Sequence, residues 1–465
     1  MRSVLLWIFP VLLLGGCLVG PEYQRPAVET PSTWRFEEPE VRELSNTLWW
    51  EQFGDPVLNE LIGIAVQENK DLLIAAARIE EFLGRLGATR ADLYPQVGAE
   101  AAAGREGRSG VAPFTSGSSG KQTDNIYQAF LTASWEIDLW GRIRRASEAA
   151  RAELLSQEEA RLAVVLSLVS SVANSYINLL NLDRQLEIAR ETARTRKETL
   201  ELFELRFEGG VISELELSQV RSEYQAALAV IPRAENLIAQ QENALSILLG
   251  RNPGPIPRGR RLDELQLPAV PAGLPSDLLA QRPDIRQAEQ NLIAANARIG
   301  VARAAYFPTI SLTAALGTVS ADLSDLFSGD SKAWNYSVPV AVPIFTAGRI
   351  KGEVQAAEAL QRQSLIAYEQ VVQNAFREVE DALVGQNRAR AEVAVLAQQV
   401  EALRSYAELA RLRYDEGYAS YIEVLDAERS LFDVELSYEQ SRSALLQALV
   451  QMYKALGGGW VVAVG

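Results

Sequence analysis

From residue 127 to 139 the odd positions are apolar: Tyr127, Ala129, Leu131, Ala133, Trp135, Ile137 and Leu139. The even positions are mostly polar: Gln128, Thr132, Ser134, Glu136 and Asp138. A period of two marks a β-strand with one apolar face. The same alternation returns on even positions from 334 to 344, with Trp334, Tyr336, Val338, Val340, Val342 and Ile344. Partner segments carry Val97, Ala99, Ala101 and, later, Ile310, Leu312, Ala314. The pattern predicts two hairpins, at about 93–140 and about 307–347, and hence four strands. Between the first two strands, Gly104 to Asn125 is rich in Gly, Ser and Thr and reads as an exposed loop.

Elsewhere the period lengthens. Leu182, Leu186, Ala189, Ala193, Arg196, Leu200, Phe203 and Phe207 recur at alternating spacings of four and three. So do Ala389, Val393, Leu396, Val400, Leu403, Ala407, Ala410 and Tyr414. Leu217, Val220, Tyr224, Ala227, Ile231 and Val424, Ala427, Leu431, Val434, Tyr438 mark a returning helix after each. Sustained spacing of this kind predicts coiled-coil packing. One straight helix from Arg144 to Phe207 would run roughly 95 Å. Pro232 is expected to kink or break the first returning helix, whereas position 439 holds Glu.

These patterns recur because the chain repeats itself. Asp71-Leu72 and Asp284-Ile285 lie 213 residues apart, as do Arg85 and Arg298, Gly87 and Gly300, and Pro95 and Pro308. Beyond the hairpin the separation is 207: Gly141-Arg142-Ile143 matches Gly348-Arg349-Ile350, and Gly210 matches Gly417. The difference falls in the hairpin loop, and an odd offset explains why the apolar parity flips. The chain therefore divides into repeat 1 (55–250, with a long helix pair at 143–249), a Pro/Gly/Arg-rich linker (251–275), repeat 2 (276–457, helix pair 349–456) and a tail, 458–465.

Four strands are too few for a membrane barrel, whose smallest members have about eight. An open sheet edge in hydrocarbon leaves backbone groups unpaired. Spanning strands would therefore require several chains in one barrel, and three copies would supply twelve. A half-buried sheet in a soluble domain fits the alternation equally well.

The N-terminus bears on that choice. Arg2, the apolar run Val4 to Leu14, and Leu14-Gly15-Gly16-Cys17 form a secretory signal, residues 1–16, too short for a standard spanning helix. The order resembles a bacterial lipobox, which implies an acylated Cys17 at the head of a lipidated segment, 17–54. The plainer alternative is an unmodified Cys in an uncleaved anchor. Leu18, rather than Asp, fits outer-membrane delivery.

Composition narrows the chemistry. The 465 residues include no His and one Cys, so His-based catalysis, internal disulfides and Cys-cluster metal sites are excluded. No catalytic residue, metal site or cofactor is predicted. With 45 Lys+Arg against 60 Asp+Glu, a net charge of −15, nucleic acid is not an expected partner. The acidic balance fits a cation-preferring lumen or a solvated outer face.

Several segments carry a family resemblance: Val19-Gly20-Pro21-Glu22-Tyr23, Trp49-Trp50-Glu51-Gln52-Phe53-Gly54-Asp55-Pro56, Asp138-Leu139-Trp140-Gly141-Arg142, Arg282-Pro283-Asp284-Ile285, Pro343-Ile344-Phe345, Val424-Leu425-Asp426-Ala427 and Tyr453-Lys454-Ala455-Leu456-Gly457. In this order they resemble the outer membrane factor (TolC-like) family, in its OprM/NodT lipoprotein branch. The resemblance implies a mainly α fold with a β-barrel part. A homotrimer would form a 12-stranded barrel in the outer membrane, continuous with a coiled-coil periplasmic tunnel. It implies a passive exit duct for drugs and toxic compounds, with no enzyme activity, lipid-anchored in the outer membrane and extending into the periplasm. Its partners would be a periplasmic adaptor (membrane fusion protein) and an inner-membrane pump. A type I-like protein secretion duct and a lipid-anchored coiled-coil scaffold are the alternatives.

The resemblance also assigns positions. Tyr414, Asp426 and Arg429 match the family's periplasmic gate, while repeat 1 has Phe207, Gln219 and Ser222 there. The plainer reading of Asp426 and Arg429 is an i,i+3 pair on a solvated helix face. Gly210 and Gly417 are turn glycines and adaptor-docking candidates. Trp135, Trp334 and Tyr336 suit a membrane-interface girdle, and Trp140 suits packing against helix ends.

Overall fold

The alternating segments fold as one antiparallel sheet in a computed structural model that describes residues 18–31, 33–35, 48–108, 122–268 and 275–458. The strands are β1 (Gln96–Arg108), β2 (Gln122–Glu136), β3 (Thr309–Ser320), β4 (Lys332–Ser337) and a short β5 (Val340–Ala341). Their order is β1-β2-β3-β4, and β5 also pairs with β3. Cross-strand neighbours share the apolar parity: Val97 opposes Ala133, Leu131 opposes Leu316, and Trp135 opposes Leu312.

Two details depart from the sequence pattern. β1 and β2 run into the segment read as loop, where Arg105 pairs with Asn125 and Glu106 with Asp124. Backbone pairing does not need an apolar side chain, so polar residues extend the hairpin. The 334–344 stretch, expected as one strand, is divided between β4 and β5. Pro339 lies in the gap, and its carbonyl accepts from Ser311 N–H at 3.1 Å while the return bond has no donor.

Three helices of each repeat have counterparts of equal length in the other. α1 is Pro56–Glu68 and α2 is Lys70–Ala91. α3 (Arg142–Glu208, 67 residues) is followed by α4 (Glu214–Leu248, 35 residues). After α5 (Leu278–Gln281), α6 spans Pro283–Ala304. α7 (Arg349–Asp415, 67 residues) and α8 (Tyr421–Ala455, 35 residues) repeat α3 and α4. α4 continues through Pro232, so the break does not occur. Pro232 is exposed. A stretch of α3 is long and apolar enough to cross a membrane by composition, but 56% of it is buried in the fold.

The chain forms two compact units. One holds Ile79–Gln157, Ala288–Tyr368 and the N-terminal residues through Ala27. There the N-terminal segment is fastened at the end of the hairpin. Val19 N–H donates to Trp140 O at 3.1 Å, and the buried Arg145 donates through Nε to Val19 O at 3.3 Å. Gly300 fits against this segment because a Cβ there would sit 2.7 Å from Val19 O. Trp140 donates through Nε1 to Pro308 O at 2.8 Å and stacks on Phe307 at 4.7 Å. Trp135 donates to Leu93 O at 2.9 Å, whereas Trp334 and Tyr336 stack on each other with exposed rings. Cys17 and the segment before it lie outside the described residues.

The second unit holds Val28–Arg78, Glu158–Gln287 and Glu369 onward. Buried Asp55 caps α1 through Val57 N–H at 2.8 Å and also accepts from Tyr176 Oη at 2.9 Å and Arg260 N–H at 3.0 Å. Burial pushes the Tyr176 hydroxyl far above its ordinary range, so it remains a donor to Asp55. The duplication is visible here too. Asn69 Nδ2 donates to Leu248 O at 2.9 Å, closing the C-terminus of α4. At the equivalent place Arg282 Nη1 donates to Ala455 O at 2.7 Å, closing α8.

Candidate functional site

The ends of the long helices, all within the second unit, hold the residues matched to a gate. Each pair reverses at a glycine with left-handed backbone, Gly210 at φ 68° and Gly417 at φ 80°. A side chain would meet no atoms at either position, so conformation rather than space requires glycine. The same Ser and Glu follow both turns, but they are used differently. Ser213 and Glu216 form a reciprocal capping box at the start of α4, with Ser213 N–H donating to Glu216 Oε2 at 2.8 Å. Ser420 makes no side-chain cap, and Glu423 instead pairs with Arg413 at 3.3 Å. The first turn is thus followed by a capped helix start, and the second is bridged by an ion pair from α7 to α8.

Below the turns, a buried cluster is built from all four helices. Leu200 and Phe203 of α3, Leu217 and Val220 of α4, Ala410 of α7, and Tyr421, Val424 and Ala427 of α8 pack together. These are positions of the four-three spacing, and Tyr421 begins the stripe of α8. Tyr414 packs on this cluster. Its ring lies edge-on to Tyr421 at 4.9 Å and near Phe203 at 6.4 Å. Arg206 Nη1 donates to its hydroxyl at 2.8 Å while the guanidinium lies over both Phe203 and Tyr414.

Asp426 and Arg429 lie elsewhere on α8. Arg429 Nη2 donates to Asp426 Oδ1 at 2.8 Å, with both side chains more than half exposed. They line an open groove of about 510 Å³ together with Gln219 and Ser222, their counterparts in repeat 1, and with Tyr406. One chain thus joins the Asp/Arg pair to its diverged counterparts. It does not bring Tyr414 into that groove; Arg206 and the aromatic cluster hold it.

Two features of this region are not apparent from the matched positions alone. One is the bond from Arg206, a residue of the first turn, to Tyr414 of the second. The other is Glu428, which follows the buried Ala427 on α8. Burial pushes its carboxyl above the ordinary range, and Arg411 and Arg196 offset this only in part, while Glu223 adds to the rise. Arg196 is itself buried, pairs with Glu223 at 3.1 Å and lies over Phe432 at 5.3 Å.

The sign of the effect follows. The folded state binds the Glu428 proton more tightly than the unfolded chain does. Ionised Glu428 therefore weakens the helix ends above its raised value. The weakness is relieved as pH falls through that value and is absent below the ordinary carboxylate value. Glu428→Gln is expected to raise the thermal midpoint at pH 8 and to flatten its dependence on mild acid. Equal midpoints for variant and parent at pH 8 would refute the assignment.

Comparison with known proteins identifies this architecture. The family model described as "Outer membrane efflux protein" matches residues 61–251 and 274–458, one segment in each repeat. The chain belongs to the outer membrane efflux protein family. The relatives agree. "Cation efflux system protein CusC" of Escherichia coli O6:H1 is 38% identical over 455 residues, covering 97% of each chain. "Solvent efflux pump outer membrane protein SrpC" of Pseudomonas putida is 37% identical over 463 residues, covering 98% of each. The solved structure of "the outer-membrane channel OprN" superposes with a TM-score of 0.89 at 30% identity, covering 96% of this chain and all of that one. As an outer membrane efflux protein, the chain is an outer-membrane exit duct of an efflux system. Its sheet is the membrane part, and its long helices are of the kind that form the family's helical tunnel.

Proposed function

We propose that three copies of this chain form one passive channel, with a shared 12-stranded barrel and a coiled-coil tunnel of α3, α4, α7 and α8. The observation that carries this reading is the sheet itself. Among the described residues its β1 edge and its β4–β5 edge pair with no further strand, and its apolar face is open, with Val97, Leu131, Trp334, Tyr336, Val340 and Ile344 all exposed. Such a sheet is stable in hydrocarbon only when its edges meet other strands. The duct contributes no chemistry; energy and choice of cargo come from an inner-membrane pump, through a periplasmic adaptor. The cargo is a small molecule or ion, in keeping with the cation and solvent efflux named for the relatives.

Within this reading Cys17 carries the lipid. The fastening of Leu18 and Val19 beside Trp140 supports an anchor at the end of the hairpin. Gly210 and Gly417 present the adaptor-docking turns, flanked by exposed Val211, Leu215 and Tyr418. Asp426 and Arg429 hold the tunnel closed at rest, and Tyr414 braces the same helix ends. The purified protein in a planar lipid bilayer is expected to conduct ions in steps with no energy source. A lipid-anchored scaffold would bind the membrane and conduct nothing.

A further inference from the structure

We infer the strand register by which one copy of this chain joins the next: Ala341 opposes Glu100 of the partner subunit, and every other pair follows from that one. The inference rests on the trimeric reading above and deepens it.

The duplication supplies the rule. Within repeat 1, Gln96 pairs with Ser134. Advancing the first strand by 213 residues and the second by 207 gives Thr309 with Ala341, which is the pair observed in repeat 2. Glu100 with Phe130 likewise gives Thr313 with Ser337, also observed. The offsets found in the sequence thus preserve strand register to the residue. One junction has no counterpart inside the chain, namely the one linking repeat 1 to repeat 2 through β2 and β3. Its counterpart must link the β4–β5 edge of repeat 2 to β1 of another copy.

The same moves give that register. Ser134 pairs with Thr313, which becomes Ala341 with the partner subunit's Glu100. Ile137 N–H donates to Ile310 O at 2.9 Å, which becomes Ile344 with the partner subunit's Val97. Val340 then faces Ala101 of the partner subunit, and apolar side chains meet from Ile344 through Val338, beyond which Tyr336 faces the partner subunit's Arg105. A one-residue slip would set apolar against polar faces.

The prolines argue for the same junction. Ser311 N–H donates to Pro339 O, so odd residues of this edge direct their backbone groups toward β3. Pro339 and Pro343 are both odd, and each lacks its donor on the β3 side. The outward donors belong to Trp334, Tyr336, Val338, Val340, Val342 and Ile344, none of which is proline. A strand protected against pairing would place its prolines the other way. This edge keeps every outward donor and gives up bonds on the inner side, as expected of an edge that pairs.

The test uses paired cysteines in full-length protein. Ala341 and the partner subunit's Glu100 form a pair without direct hydrogen bonds, whose Cα atoms are about 4.5 Å apart, within disulfide range. Glu100→Cys with Ala341→Cys is expected to give covalent trimers on a non-reducing denaturing gel after mild oxidation. Glu106→Cys with Asn335→Cys, in the same register, is the second variant. Ala102→Cys with Ala341→Cys and Gly98→Cys with Ala341→Cys, each two residues out of register, are expected to stay monomeric on that gel. Covalent trimers from a slipped pair, or from none of the pairs while native trimers persist, would overturn the register alone. Loss of native trimers and of bilayer conductance in the unsubstituted protein would overturn the trimeric channel with it.

Discussion

Arg282→Met is expected to destabilise the protein by about 3 kcal/mol, the largest stability loss of any single substitution considered. The Arg282 side chain is 7% exposed, and burial works against its charge. Bonds to Asp284 and Glu378 outweigh that and hold it protonated above its ordinary range. Its Nη2 lies 2.6 Å from Asp284 Oδ2 and 2.7 Å from Glu378 Oε2, and Nη1 donates to Ala455 O at the end of α8. Methionine keeps much of the volume but removes the guanidinium from Ala455 O and both carboxylates, leaving Asp284 only the Ile285 N–H. Breaking a buried pair costs about 3–5 kcal/mol, and the partial exposure of Asp284 and Glu378 sets the lower end. Asn69→Ala, at the equivalent position, removes neutral bonds only and should cost about 1 kcal/mol. Thermal melting followed by circular dichroism separates the two. A midpoint for Arg282→Met within about 1 °C of the parent would contradict the argument.

Asp426→Ala combined with Arg429→Ala is expected to raise the mean conductance of the channel in planar bilayers. Each pair is half exposed and contributes about 0.2–1 kcal/mol. Three copies acting on one closure multiply this, so the open-to-closed ratio should rise between about threefold and about a hundredfold. A small term per chain is what an opening partner can overcome. Gln219→Ala with Ser222→Ala, in the same groove, removes no charge pair and should change conductance less. If the Asp426/Arg429 double variant conducts like the parent, the pair is an ordinary surface interaction.

Legibility differed between the strands and the helices. The alternation at 127–139 marked β2 because one face of a strand must be apolar throughout. It missed the ends of β1 and β2, where Arg105, Glu106, Asp124 and Asn125 pair through backbone alone. It also overran Pro339, because side-chain alternation does not register a missing N–H. On the helices, the four-three spacing picked out the buried Leu200, Phe203, Leu217, Val220 and Val424. Pro232 does not break α4, which continues through it.

The positions matched to a gate divide in the same way. Spacing alone puts Asp426 and Arg429 within reach of each other, since residues three apart share a helix face. No spacing puts Arg206 on Tyr414 at 208 positions' separation, or Gln219 and Ser222 beside Asp426 and Arg429.

By itself, the sequence determined the duplication, the periods of two and three-and-a-half, and the absence of His chemistry, because these are properties of residue type and spacing. The family resemblance was likewise carried by short motifs in order. Only the tertiary structure decided which equal residues do equal work. Ser213 caps and Ser420 does not; Arg206 crosses to Tyr414 while Arg413 pairs with Glu423; Pro339 turns its missing donor inward. Those outcomes depend on what lies across the gap from each side chain, and the two repeats have different neighbours there.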